Sequence, residues 1–184
     1  MTWKTDKDSC SISTTKDGNV ILAGFLKQTL KEYTTHGILL RVIILKPDIG
    51  VDINPWLALK LESGNYLICH GKSRVDKHRV CMITPDGDVV KSFGDERGWG
   101  ISGLFGPYYL ALDGKKNILV ADCNNCRIVV LSPNLQYLTE YKTNARFPAR
   151  FCIDSATGTL YVANNDCQDG KRTDGQIVAL KPNH

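Results

Sequence analysis

A motif that returns four times along these 184 residues constrains the fold more than any other feature. Its clearest copy runs from Gly106 to Tyr141, GPYYLALDGKKNILVADCNNCRIVVLSPNLQYLTEY. A proline opens a first strand, Tyr108 to Leu112, and a polar turn from Asp113 to Asn117 follows. Ile118 to Ala121 forms a second, wholly apolar strand, and the turn Asp122 to Cys126 leads into a third, Arg127 to Leu131. Ser132-Pro133-Asn134 then turns the chain into a last strand, Leu135 to Tyr141. Short β-rich runs punctuated by Gly, Pro, Asn and Asp predict an antiparallel meander. One such sheet cannot bury both of its faces, so its neighbours should be copies of itself.

The copies keep phase. Pro55 stands ten residues before Asn65, as Pro107 does before Asn117, and Thr159 follows Pro148 by eleven. A fainter copy opens the chain with CSISTTKDGNVILAG. The markers Asn19, Asn65, Asn117 and Thr159 are separated by 46, 52 and 42 residues, the period of a four-stranded β-propeller blade. The expected blades are 10–45, 55–93, 106–141 and 147–181, within one domain covering 1–184. The last is one strand short, and Met1 to Thr5 is the candidate to complete it by pairing the two termini.

Composition narrows the class. The hydrophobic content of 42% and a slightly negative mean hydropathy suit a globular domain. The longest apolar run, Ile38 to Leu45, is interrupted by Arg41 and is too short to span a bilayer. The N-terminus is polar, unlike a secretory leader. Seven cysteines cannot all pair within the chain, and Cys10, Cys81 and Cys152 fall inside strands, where a reduced thiol acts as a small hydrophobe. A reduced, cytoplasmic protein is therefore expected. The net charge of +4 is too mild for an obligate nucleic-acid binder.

The turn VADCNNCRIVVLSP resembles the NHL repeat, in which an Asp, a short Asn-rich turn, an Arg and an apolar strand follow one another. NPWLALKLESGNYLICHG with HRVCMITPDGDVVKSFG resembles the NHL propellers of invertebrate tripartite-motif proteins. The resemblance implies an all-β, NHL-type propeller. Family propellers have six blades and follow a RING, a B-box and a coiled coil. No zinc-finger spacing or heptad run occurs here, so ubiquitin-ligase activity is not implied. Four blades mean either a piece of a longer propeller or a short ring, and the former is preferred.

Asp122 and Arg127 flank a turn that the hairpin should close, so an ion pair bracing the repeat is expected. His78-Arg79 holds the same slot in blade two without the Asp, which predicts a weaker brace. Cys123-x-x-Cys126, and Cys69-His70 with His78 and Cys81, could suggest zinc, but a tetrahedral site needs four converging ligands and the repeat separates these; no metal and no cofactor are expected. The innermost strands, CSIS, WLALKL, YYLAL and ARFCI, carry no carboxylate or histidine, which predicts a protein that is not an enzyme. Loops between second and third strands, and between blades, share one face. There the sequence gathers bases and aromatics, with Arg74, Lys77, Arg79, Trp99, Tyr108, Arg150, Lys171 and Arg172 as the candidate partner-binding residues. The opposite face carries Asp17, Glu62, Asp86, Asp88 and Asp154. A binding or scaffold module for a protein partner follows, with single-stranded RNA on the same face as the alternative and neither a membrane nor a small-molecule substrate.

Overall fold

The computed structural model describes residues 2–5, 7, 9–24, 28–46, 55–71, 77–94, 100–143, 147–154, 156–164, 167–168, 171–172 and 175–181. Three four-stranded antiparallel sheets and a fourth of three strands follow one another as the blades of a propeller. Blade one is β1 (Ser9–Thr14), β2 (Val20–Gly24), β3 (Thr29–Tyr33) and β4 (Leu39–Ile44). Blade two is β5 (Pro55–Lys60), β6 (Tyr66–His70), β7 (Arg79–Ile83) and β8 (Val89–Phe93). Blade three is β9 (Pro107–Leu112), β10 (Ile118–Asp122), β11 (Arg127–Leu131) and β12 (Tyr137–Lys142). Blade four holds β13 (Pro148–Ile153) and β14 (Leu160–Asn164), then a small hairpin of β15 (Cys167–Gln168) and β16 (Lys171–Arg172), then β17 (Ile177–Leu180) beside β14. No helix among the described residues is long and apolar enough to cross a membrane, a statement that does not bear on membrane β-barrels.

The second strands show why blades must stack. Alternate residues of a strand face opposite sides, and in β10 both sides are covered. Ile118 and Val120 pack with Leu67, Cys69 and Val80 of blade two, while Leu119 and Ala121 pack with Phe151, Leu160 and Val162 of blade four. This explains the unbroken apolar run: Leu119, Val120, Val129 and Leu131 are all buried. A third cluster joins Ile21, Ala23, Leu30 and Ile43 of blade one to Tyr66, Ile68, Cys81 and Ile83 of blade two. First strands lie against one another, β1 on β5, β5 on β9 and β9 on β13, so they are innermost. The fourth strands lie at the rim.

Close approach shapes one blade junction. Gly87, at φ +83°, closes the β7–β8 turn, and a Cβ there would meet the Ile44 carbonyl oxygen at 2.1 Å. Glycine supplies both the positive φ and the missing atom. Where blade three has no glycine, Leu135 itself takes φ 57° and buries its side chain under Leu131 and Tyr137, so the last strand starts at Tyr137 rather than at Leu135.

Two expectations change. Residues 2–5 form no strand. Trp3 packs on Tyr33 of blade one, with ring centroids 5.1 Å apart, and does not complete blade four. Cys152 is exposed on β13 rather than buried.

A polar tie joins blades one and two. Glu32 on β3 is buried, accepting hydrogen bonds from Lys60 Nζ (2.8 Å), Tyr66 Oη (2.7 Å) and Asn19 Nδ2 (3.0 Å). Burial alone would raise its pKa, but the bonds from Lys60, Tyr66 and Asn19 outweigh it and hold the carboxyl below its usual range. The folded state thus prefers the carboxylate, and that stabilisation is complete above the ordinary glutamate pKa of about 4.3. It disappears as pH falls through the lowered folded value. Glu32→Gln should therefore cost about 1–3 kcal/mol at neutral pH, a gap that closes on acidification; urea titrations at several pH values would show it, and a gap independent of pH would refute the assignment. Core stacking gives a second expectation: Leu119→Ala costs about 2–5 kcal/mol, whereas Ile44→Ala, on the exposed rim, changes stability by less than about 0.5 kcal/mol. Equal costs in chemical denaturation would contradict the blade stacking.

Candidate binding face

Every innermost strand is bulged at its second residue. The pairing passes from Ser9 to Ser11, Pro55 to Leu57, Pro107 to Tyr109 and Pro148 to Arg150, skipping Cys10, Trp56, Tyr108 and Ala149. In blades two to four the strand opens on proline, a residue suited to a strand's first position because it has no N–H to donate. A bulge leaves its extra residue outside the ladder and re-aims side chains. Here it brings Trp56 and Tyr108, from neighbouring blades, into a stack with centroids 4.0 Å apart and planes at 24°. Both remain only half-buried. Beside them Tyr109 meets Phe151 edge-on at 5.2 Å, and the exposed Arg150 guanidinium lies 5.2 Å from the Tyr109 ring centroid. Burial pushes the Tyr108 phenol above its ordinary pKa, with Cys123 adding to the rise and Arg150 opposing it.

The same end of blade three is fastened by an ion pair. Asp122 ends β10 and Arg127 begins β11, directly opposite in register, with a 3₁₀ turn over Cys123–Asn125 between them and Cys126 at φ 52°. Arg127 Nε donates to Asp122 Oδ2 at 2.7 Å, and both side chains are buried. The guanidinium also reaches Glu140 Oε2 at 2.6 Å and the carbonyls of Gly100 and Gly103 at 3.0 and 2.6 Å. Asp122 Oδ1 accepts from the Phe105 N–H at 2.6 Å, and Oδ2 from Asn125 at 2.8 Å. The pair thus ties the connection entering blade three to the turn, helped by Cys123 N–H to the Gly106 carbonyl at 3.0 Å. Burial lowers the Arg127 pKa, but Asp122 and Glu140 outweigh it and keep the guanidinium charged.

The equivalent register in the other blades holds different partners. Blade two sets His70 opposite Arg79, blade four sets Asn164 beside Gln176, and blade one sets Gly24 opposite Thr29. His78 is fully buried, accepting the Gly106 N–H on Nδ1 at 2.9 Å and meeting Phe105 edge-on. It docks the entry to blade three.

Of the candidate partner-binding residues, Tyr108 and Arg150 come together at the bulges, and Lys77 is exposed nearby in sequence to His78. Arg79 is a correction: it is 8% exposed and so presents almost nothing, because its strand position faces the sheet interior beside His70. Arg74 and Trp99 lie outside the described residues, as do the side chains of Lys171 and Arg172 on β16. Sequence reading missed Tyr109, Glu140 and the shared bulge; the prolines preceding Trp56 and Tyr108 were the available signal. On the opposite face, Glu62 is paired with Lys16 (3.4 Å) and Lys116 (3.0 Å), and Asp88 with Lys46, which offsets the acidity expected there. A cleft of about 390 Å³ opens beside Lys16, Lys60 and Glu62.

Among the described residues no three His, Cys, Asp or Glu side chains gather as metal ligands would. Burial first, then Cys126 and Asp122, pushes the Cys123 thiol up to about 12, so it stays protonated, the wrong state for a ligand or nucleophile.

No family model and no curated protein matches the chain. Solved structures do. One is a protein of unknown function from Bacteroides caccae, with 18% identity, a TM-score of 0.60, and 95% of this chain and 63% of that one covered. Another is a catalytically inactive variant of virginiamycin B lyase from Staphylococcus aureus with quinupristin, at 16% identity, TM-score 0.65, covering 97% and 57%. Kuenenia stuttgartiensis hydrazine synthase matches at 12% identity, TM-score 0.67, covering 97% and 51%. The chain spans between about half and two thirds of the length of these proteins. At such identities the likeness shows the fold: a β-propeller.

The exclusion of catalysis does not stand. Lyases share this propeller, so the fold can be catalytic. The exclusion surveyed only the innermost strands, whereas His70, His78 and Asp122, all buried, stand at the ends of other strands or in loops.

The ion pair yields a test. Arg127→Met leaves Asp122 buried without its counter-charge and should cost about 3–5 kcal/mol. Adding Asp122→Asn should cost much less than its separate effect, because the orphaned charge goes with it. Additive costs in urea denaturation would show that the two residues do not act together.

Proposed function

We propose that this propeller is a binding module of the NHL kind that presents the bulged, loop-bearing face to a protein partner. The observation that carries the reading is the Trp56–Tyr108 stack with Arg150 over Tyr109, rings and a guanidinium held half-exposed at one end of the innermost strands. Aromatic residues and arginine are the side chains that dominate protein hot spots. Their positions are fixed by bulges, so little freedom is lost when a partner docks. The polar fastening of Asp122, Arg127 and His78 holds the flanking connection in place. A net charge of +4 provides little general attraction for phosphate, which favours protein over RNA.

Selection of binders from a displayed peptide library, followed by alanine scanning, tests the reading. Tyr108→Ala and Arg150→Ala should each weaken the selected binders by about 2 kcal/mol or more, with Lys77→Ala nearly neutral. A labelled mixed-sequence single-stranded RNA, titrated at low salt, should show no tight binding. Micromolar RNA affinity falling steeply with salt, or selected binders indifferent to Tyr108 and Arg150, would overturn the proposal.

A further inference from the structure

Arg127 and Arg150 stand at the same end of neighbouring blades and are used in opposite ways. Arg127 is buried, and its guanidinium is committed to Asp122, Glu140 and the carbonyls of Gly100 and Gly103. Arg150 is exposed. Its Nη1 donates to the Ala149 carbonyl at 2.7 Å, and its guanidinium carbon lies 5.2 Å from the centre of the Tyr109 ring, which Phe151 braces edge-on. A guanidinium held against a ring keeps the edge of its N–H fork open. Among the described residues no carboxylate pairs with that edge. Burial, then Cys123, raises the Tyr108 phenol's pKa, and Arg150 is the charge that opposes the rise. The guanidinium therefore acts on the Trp56–Tyr108 stack as well as on Tyr109. The charge at this end is one-sided. Lys142, opposite Arg127 at the end of β12, is exposed, while the acids of strands β9 to β13, Asp122 and Glu140, both answer Arg127. At the other end of the blades Lys16, Lys46 and Lys116 are matched by Glu62 and Asp88.

We propose that the partner segment is acidic: one of its carboxylates takes the open edge of the Arg150 guanidinium while a neighbouring apolar side chain packs on Tyr108. The inference rests on the binding-face reading above and narrows it from a protein to an acidic peptide. A planar guanidinium matches a carboxylate with parallel N–H bonds, and such charge-assisted forks are the strong and orienting ones. An exposed ion pair by itself contributes little. Here the Tyr109 ring already holds the guanidinium, so less side-chain freedom is lost on binding, and a segment seated on Tyr108 would shield the pair from water, which strengthens it. A nucleic-acid strand asks for more than this, since its phosphates need several bases tracking along a groove.

A mutant cycle on peptides selected against the full chain tests this. The tightest peptide from a displayed random library is remade with each acidic side chain changed singly to its amide. One of these changes should weaken binding about tenfold or more. Arg150→Ala should bind the acidic and amide peptides alike, which assigns the discrimination to that side chain. Arg150→Lys keeps the charge and loses the fork, so it should restore only part of the difference. Tyr108→Ala should weaken both peptides by the same factor. Arg150 is exposed, so its variants should melt with the unaltered protein; should Arg150→Ala fail to fold, Arg150→Lys still carries the comparison. Peptides that depend on Tyr108 yet tolerate the amide at every acid would overturn the acidic partner and leave the binding face standing. Discrimination that survives in Arg150→Ala would overturn it as well. Peptides indifferent to both Tyr108 and Arg150 would remove the face itself. Single-stranded RNA held through Arg150, with no acidic peptide selected, would replace the carboxylate by phosphate and overturn both readings.

Discussion

Stacking of sheets against sheets is the constraint on which everything else here depends. A four-stranded meander with two apolar faces gains stability only when both are covered. Blades two and three satisfy this on both sides, which is why β6, β7, β10 and β11 are buried nearly throughout. Among the described residues, blades one and four pack on a neighbouring blade on one side each. The contrast between buried Leu119 and half-exposed Tyr161, residues in the same repeat phase, shows how much of a residue's environment comes from its neighbour blade rather than from its own strand.

Apolar stacking is non-directional, so it does not by itself fix how one blade is rotated against the next. Polar contacts add that definition. Glu32 gathers Asn19 from its own blade and Lys60 and Tyr66 from the next. Asp122, Arg127 and Glu140 hold the connection entering blade three, and His78 reaches from blade two to the Gly106 N–H of the same connection. A buried ion pair is weak evidence for added stability, since desolvation offsets the attraction. Its value is directional: misplacing the connection would leave Asp122 and Arg127 buried without their hydrogen bonds.

Much of this was legible in the sequence, and for physical reasons. Turn chemistry and strand length recur with the repeat, so the blades, the short fourth sheet and the burial of Leu119, Val120, Val129 and Leu131 could be read from local pattern. What depends on contacts between blades could not. Arg79 looks like a loop base but is packed into its sheet, and Cys152 looks like a core thiol but is exposed on β13. Glu62 and Asp88 of the opposite face are paired with Lys16, Lys116 and Lys46, all three on other blades or connections, and sequence distance hides such pairs. The exclusion of catalysis failed for a different reason: it tested one set of strands, while the same propeller fold occurs in lyases.

The bulges free one position in each innermost strand from the demands of stacking. Ladder residues are fixed in character by the blade on either side, and their substitution disturbs stacking. The bulged residue is outside that ladder, so its identity is free to change while the backbone stays the same. The four blades show this directly, with Cys10, Trp56, Tyr108 and Ala149 at one structural position. Repeated backbone geometry thus provides a ring of sites whose side chains can differ. Two adjacent sites carry large aromatics that stack on each other, and a third, Ala149, is small and followed by Arg150, which reaches the Tyr109 ring. Over blades two to four the fold's least constrained positions thus carry its most interaction-prone residues.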